Sequence, residues 1–157
     1  LLNVNTRATL LLAQAAYPAL KESKGALVAV ASMSGMGAHP GMGAYSPSKA
    51  ALISLCQVLA QEWACDGINV NTVSPGMIRT PLTQKVYENN QIAKERAALV
   101  PWGRVGNPED ISNVISFLLS PEANYITGQN ILVDGGFVDS LYRHIPGLPD
   151  SSEIDKT

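Results

Sequence analysis

Apolar positions along this chain follow two rhythms, and their alternation predicts the architecture. Residues 27–31 (Leu-Val-Ala-Val-Ala) form a short, unbroken, β-compatible run, the mark of a parallel strand buried on both faces and ending at Ser32. From about 44 to 64 the spacing becomes helical. Leu52, Leu55, Cys56, Leu59, Ala60 and Trp63 recur at i, i+3, i+4, i+7, i+8 and i+11, one face of a 3.6-residue helix, with Pro47 tolerated in its first turn. Residues 68–73 and 129–133 are two further strand candidates, each preceded by a helix. That order is the signature of a parallel α/β sheet.

Three other segments complete the pattern. Asn107-Pro108-Glu109-Asp110 is a helix start, with a cap, a proline at the first position and acids in the first turn, followed by the stripe Ile111, Val114, Ile115 and Leu118. Near the beginning, Leu10, Leu11, Leu12, Ala13, Ala15, Ala16, Ala19 and Leu20 leave little polar face, as expected of a helix covered on both sides. Between 81 and 102 the periodicity fades, leaving Leu82, Val86, Tyr87, Ile92, Leu99 and Trp102 as a partly apolar surface. Residues 138–157 read as a C-terminal extension, polar at its end and expected to be disordered there.

Composition narrows the function classes. Of 157 residues, 46% are hydrophobic and only 15% charged, against ~25% in an ordinary soluble domain. So few charges imply that much of the surface is covered by another part of the protein or by neighbouring subunits. A net charge of −2 offers no basic patch for nucleic acid. No apolar run approaches the ~20 residues that span a bilayer, so neither nucleic acid nor membrane is an expected partner, and a cytoplasmic location fits best. Cys56 and Cys65 read as reduced packing residues. His39 and His144 lack partners at ligand spacing, so no metal is expected.

The candidate chemistry lies in Ser32, Tyr45 and Lys49, with Asn5 upstream and residues 74–80 (Ser-Pro-Gly-Met-Ile-Arg-Thr) downstream. Tyr45 and Lys49, four apart on one helix, share a face. A free phenol titrates near ~10, so acid–base work at neutrality asks for about 4 kcal/mol. An ammonium about 5 Å away, at an effective dielectric of ~20, supplies about 3 kcal/mol of it. A phenol, an ammonium and a hydroxyl that can meet one substrate oxygen form a kit for moving a proton.

With these residues in view, the chain resembles the classical short-chain dehydrogenase/reductase family, over residues 3 to about 137. Val4-Asn5-Thr6 resembles the family's helix with the active-site Asn, and Ala44-Tyr45-Ser46-Pro47-Ser48-Lys49-Ala50-Ala51 its Tyr-Lys helix. Residues 67–80 resemble the strand and loop that grip the nicotinamide. Residues 103–110 and 126–136 match its closing segments. The resemblance implies an NAD(P)-dependent oxidoreductase that interconverts an alcohol and a ketone. Tyr45 would donate or remove the proton, Ser32 would hold and polarise the substrate oxygen, and Asn5 would position a water for a proton relay. Lys49 would support Tyr45 electrostatically and bond the nicotinamide ribose. Pro75, Gly76 and Ile78 would line the nicotinamide pocket, with Thr80 near the carboxamide or phosphates. The implied cofactor is NAD or NADP, and the implied partners are a small alcohol or carbonyl compound and further copies, as a homodimer or homotetramer. The family pairs the first helix and the Tyr-Lys helix across a dimer interface, and it places a lid over the substrate at 81–102.

One feature departs from that pattern. A dinucleotide fold rests the pyrophosphate on a Gly-rich turn in its first half, and no G-x-G-x-x-G occurs here. The glycines at 35, 37, 41 and 43 lack that spacing and lie between Ser32 and Tyr45, where a mobile substrate-side loop is expected. The fold expected is therefore α/β, the second half of a Rossmann-like doubly wound parallel sheet spanning 1–137, with the N-terminal cofactor-binding half absent from this chain. The strand at 27–31 should then pair on one side only, and the fragment by itself should show little turnover. Two alternatives stand beside this reading: a non-catalytic oligomerisation or interaction module, which the missing turn favours, and an epimerase or dehydratase of the family's extended branch, against which 74–76 and 133–136 argue.

Overall fold

The computed structural model describes residues 1–147. A π-helical turn, Asn3–Arg7, runs directly into helix α1, Ala8–Ser23. Then follow strand β1 (Ala26–Val30), helix α2 (Tyr45–Trp63), strand β2 (Asn69–Pro75), the short helices α3 (Gln84–Tyr87) and α4 (Asn90–Leu99), helix α5 (Pro108–Leu118) and strand β3 (Asn130–Val133). The strands form a parallel sheet in the order β1-β2-β3.

Side chains alternate across this sheet, so each face needs its own cover. Ala29 and Val70 pack beneath α1 and α2 with Ala13, Leu52, Cys56, Leu59 and Trp63. Val28, Val73, Ile131 and Val133 pack against Ile111 and Leu118 of α5 on the opposite side. Helices therefore cover both faces, the doubly wound arrangement expected. Among the described residues, strand β1 pairs with β2 alone. No helix among the described residues is long and apolar enough to cross a membrane.

Central strand β2 is unusually polar for a buried strand. Asn71, Thr72 and Ser74 are at most 1% exposed. Buried polar groups are tolerated only when hydrogen-bonded, and each of these is. The Asn71 amide donates to the Ile126 carbonyl (2.7 Å) and accepts from the Gln129 N–H (2.9 Å). Thr72 and Ser74 hydroxyls both donate to Asn130 Oδ1, at 2.9 and 2.6 Å. Among the described residues, no buried side-chain nitrogen or oxygen lacks a partner.

One boundary expected from the sequence needs correction, and other segments gain detail. Strand β1 begins and ends one residue before the apolar run, leaving Ser32 two residues past the strand rather than at its tip. Within one copy of the chain the first helix buries Ala13 fully and leaves Leu11 and Leu12 50% and 71% exposed, a face open to cover by another copy or another part of the protein. The segment from 81 to 102 folds into α3 and α4, the latter capped by Asn89, whose side chain accepts from the N–H groups of Gln91 and Ile92. Cys56 is buried, which pushes its thiol up to about 11, while Cys65 is exposed, and both are free. The extension begins with a short 3-10 turn, Leu141–His144. The disorder expected at 149–157 lies outside the described residues.

The start of α5 carries an ion pair with structural work. Arg104 grips Asp110 with two parallel bonds, 2.7 and 2.9 Å, and Asp110 also accepts from the Asn107 N–H at 2.7 Å. The Arg104 guanidinium first, and that N–H second, hold the Asp110 carboxyl well below the usual carboxylate range. Because the folded value lies under the unfolded one, near ~3.9, this stabilisation is complete above ~3.9 and fades as pH falls toward the folded value. Asp110→Asn is therefore expected to lower the urea midpoint at pH 7, with the gap to wild type closing below about pH 4. An equal gap at pH 7 and pH 3 would assign the loss to packing instead.

Candidate active site

Ser32, Tyr45 and Lys49 are brought into one neighbourhood by a turn seated on helix α2. Past β1, the Ala31 N–H still donates to the Val73 carbonyl at 2.7 Å, so the chain leaves the sheet beside the carboxyl end of β2. Ser32 then caps a 3-10 turn, Met33–Gly35, accepting the Ser34 N–H at 3.1 Å. Its hydroxyl proton remains available to a substrate. Gly35 is required by close approach: a Cβ there would lie 2.9 Å from the carbonyl carbon of Lys49 and 3.0 Å from its oxygen. The turn thus rests on the helix backbone at Lys49 itself.

Lys49 is held from the other end as well. Its ammonium donates to the Val30 carbonyl at 2.8 Å, tying α2 to the end of β1. Burial pushes this ammonium below its ordinary value, because desolvation disfavours the charged form. Its nitrogen lies 5.9 Å from the ring centroid of Tyr45, the first residue of α2. Ser32 and Tyr45 are not hydrogen-bonded to each other.

Asn5 reaches the cluster through Ser48, a residue the sequence pattern did not single out. Asn5 lies in the π-helical turn, a rare widened geometry that is frequent at functional sites. Its amide donates to Ser48 Oγ at 2.9 Å, and Ser48 Oγ donates to the Tyr45 carbonyl at 2.7 Å. The Thr6 hydroxyl adds a bond to the Ser48 carbonyl at 3.0 Å. Ser48 is fully buried. The available signal was its place four residues before Leu52, on the apolar stripe of α2. His39 was also missed: Ser34 Oγ meets His39 Nδ1 at 3.0 Å, and the His39 N–H donates to Ser46 Oγ at 3.2 Å. These contacts brace the base of the loop between Ser32 and Tyr45.

Residues 75–80 form a second group. Pro75 pairs with Val133, and the Gly76 N–H donates to the Val133 carbonyl at 2.9 Å. A Cβ on Gly76 would fall 2.7 Å from the Asp134 Cα, so the exits of β2 and β3 cross there at backbone contact. Ile78 bridges to Gly106. The Thr80 N–H donates to Thr83 Oγ1 (2.9 Å), and their hydroxyls lie 3.2 Å apart. A cavity of about 200 Å³ beside this group is lined by Met77, Ile78, Trp102, Gly106, Val133 and Asp134 among others. Its walls include Ile78 but not Asn5, Ser32, Tyr45 or Lys49.

Chemically, the first group offers a hydroxyl donor, a phenol and a partly buried ammonium, all at the carboxyl ends of parallel strands. Ligands of open α/β sheets bind in that position.

Known proteins resemble this chain over most of its length. Residues 1–138 match the family model described as enoyl-(acyl carrier protein) reductase. A tropinone reductase homologue of Arabidopsis thaliana is 42% identical over 137 residues, covering 87% of this chain and 51% of the relative. The 3-oxoacyl-[acyl-carrier-protein] reductase of Thermotoga maritima is 41% identical over 139 residues, covering 87% and 55%. Among solved structures, 4-hydroxyisoleucine dehydrogenase complexed with NADH superposes with a TM-score of 0.83 at 37% identity, over 88% of this chain and 58% of that one. The chain spans about half the length of the curated relatives it matches.

Gly35→Ala tests the seating of the turn. It is expected to cost about 1–3 kcal/mol of stability, the usual range for a forced overpacked contact, whereas Gly37→Ala, with open space around its Cβ, should be neutral. Thermal unfolding of both variants checks this, and equal behaviour would mean the contact at Lys49 carries no strain.

Proposed function

The chain belongs to the classical short-chain dehydrogenase/reductase family, and on that premise we propose that it forms the catalytic half of an NAD(P)-dependent oxidoreductase interconverting an alcohol and a ketone. The observation that carries this reading is the fixed placement of Ser32 and Lys49, through Gly35 and the Val30 carbonyl, around the helix that begins at Tyr45. In this reading the pyrophosphate-binding turn is contributed by a preceding half of the protein, and these residues make up the second half, 1–137.

The donor set suits a nicotinamide ribose. Lys49 has three N–H donors and spends one on Val30, leaving two for ribose hydroxyls. Tyr45 and Lys49 would hold the ribose, and Pro75, Gly76, Ile78 and Thr80 would border the nicotinamide of NAD or NADP. When bound, that cofactor supplies the hydride donor or acceptor. In the reduction direction Tyr45 Oη gives a proton to the substrate oxygen, and in oxidation it takes one. Ser32 Oγ donates a hydrogen bond to that same oxygen and fixes its position. Asn5 acts through Ser48, which holds the first turn of α2 and with it Tyr45. A water held near Asn5 would return the proton to solvent by way of Lys49.

Tyr45→Phe, in the protein carrying both halves, is expected to lower turnover by about 10²–10⁴-fold while cofactor affinity stays nearly unchanged. Loss of cofactor binding with the same variant would give Tyr45 a structural role and remove this assignment.

The exposed side of α1 and α2 carries Leu11, Leu12 and Val58, each at least half exposed. Burying a leucine fully is worth about 1.5–3 kcal/mol, and we assign this face to a second copy of the chain, giving a homodimer or homotetramer. Leu12→Glu is expected to shift sedimentation toward the monomer; an unchanged assembly would place the interface elsewhere.

A further inference from the structure

Outside the Ser32–Tyr45–Lys49 cluster, the most conspicuous group of charges without ion-pair partners among the described residues gathers around Tyr87, from the loop after β2 and from α4. Tyr87, at the end of α3, is only 5% exposed. The guanidinium carbon of Arg79 stands 5.2 Å from its ring centroid, and that of Arg96, on α4, stands 5.6 Å away. Among the described residues neither arginine has a carboxylate partner: the two ion pairs there are Lys21–Asp66 and Arg104–Asp110. Among those residues, the guanidinium that donates hydrogen bonds to protein atoms is Arg104's. Glu95, beside Arg96 in sequence, instead accepts from Gln91 at 2.9 Å.

Two like charges gathered on one ring repel each other. The ring attracts each singly but leaves their planar N–H forks unused, and such forks match carboxylate and phosphate oxygens in paired bonds. An oxyanion shared by both would turn the repulsion into attraction. We propose that Arg79 and Arg96, carried on Tyr87, form a subsite for a carboxylate or phosphate at the non-reacting end of the substrate. This rests on the dehydrogenase/reductase reading above. Arg79 lies between Ile78 and Thr80, so a substrate anchored by its anionic end is kept beside the segment assigned to the nicotinamide. The substrate class is then an anionic alcohol or ketone.

The test begins with binding, which needs no turnover. The intact protein is titrated with succinate, inorganic phosphate and neutral succinamide, followed by calorimetry and by the arginine Nε–H resonances. Succinate or phosphate should bind and move two arginine resonances, with succinamide at least about tenfold weaker. Stronger binding of succinate identifies a carboxylate, and stronger binding of phosphate a phosphoryl group. Arg79→Gln and Arg96→Gln should each weaken that binding by about tenfold, and Arg96→Lys, which keeps the charge and the packing stem, should lose less. Equal affinity for succinamide, unaltered binding in both Gln variants, or no anion binding at all would overturn the proposal. Displacement of the anion by ADP-ribose would also overturn it, by assigning the site to the cofactor. Turnover of no alcohol or carbonyl compound, with anion binding intact, would sink the oxidoreductase reading and leave the subsite standing.

Discussion

The backbone contact between Gly35 and Lys49 is the constraint on which the candidate site depends. A helix and a strand exit approach closely enough there that no side chain fits between them. Once seated, the turn fixes Ser32 relative to the helix without any direct bond from Ser32 to Tyr45. The Lys49 ammonium on the Val30 carbonyl closes the same corner from the other side. Positioning thus falls to the backbone and to the stem of Lys49, and the Ser32 hydroxyl and the Tyr45 phenol are left free of each other, as the proposed chemistry requires. A site whose reactive groups do not hold one another in place can admit a substrate oxygen between them.

Much of the framework could be read from the chain. The alternation of short apolar runs with 3.6-residue stripes located three parallel strands and the long helices, because local burial dictates both patterns. Tyr45 and Lys49 were legible as a pair since four residues of helix place them on one face whatever surrounds it. What escaped notice depends on contacts distant in sequence. Ser48 looked like filler in a helix until Asn5, 43 residues earlier, was found bonded to it. His39 looked idle because its partners, Ser34 and Ser46, matter only once the loop has closed. Helices α3 and α4 were obscure for a further reason: α3 spans only four residues and buries a single aromatic ring.

The two arginines on Tyr87 belong to the same class of hidden feature. Seventeen positions separate Arg79 from Arg96, and neither stands out in a chain of modest charge. Packing the loop after β2 and helix α4 around one ring brings them together. On the proposed reading the two clusters would divide the labour of a small-molecule site, the one around Lys49 acting on the reacting oxygen and the one around Tyr87 choosing what the rest of the molecule must carry.

Asn130 has a consequence for how this sheet finds its alignment. One amide oxygen on β3 receives hydroxyls from Thr72 and Ser74, two neighbours on the same face of β2. Apolar strands in a buried parallel sheet are nearly interchangeable under a slide, since Val opposite Ile is as good as Ile opposite Val. A slide by one residue here would turn Asn130 to the other face and strand both hydroxyls in the interior. The polar triad therefore works like a key in a lock otherwise made of grease. It adds little to the strength of the pairing and a great deal to its uniqueness, in the strand pair whose partners must find each other across more than fifty residues of intervening chain.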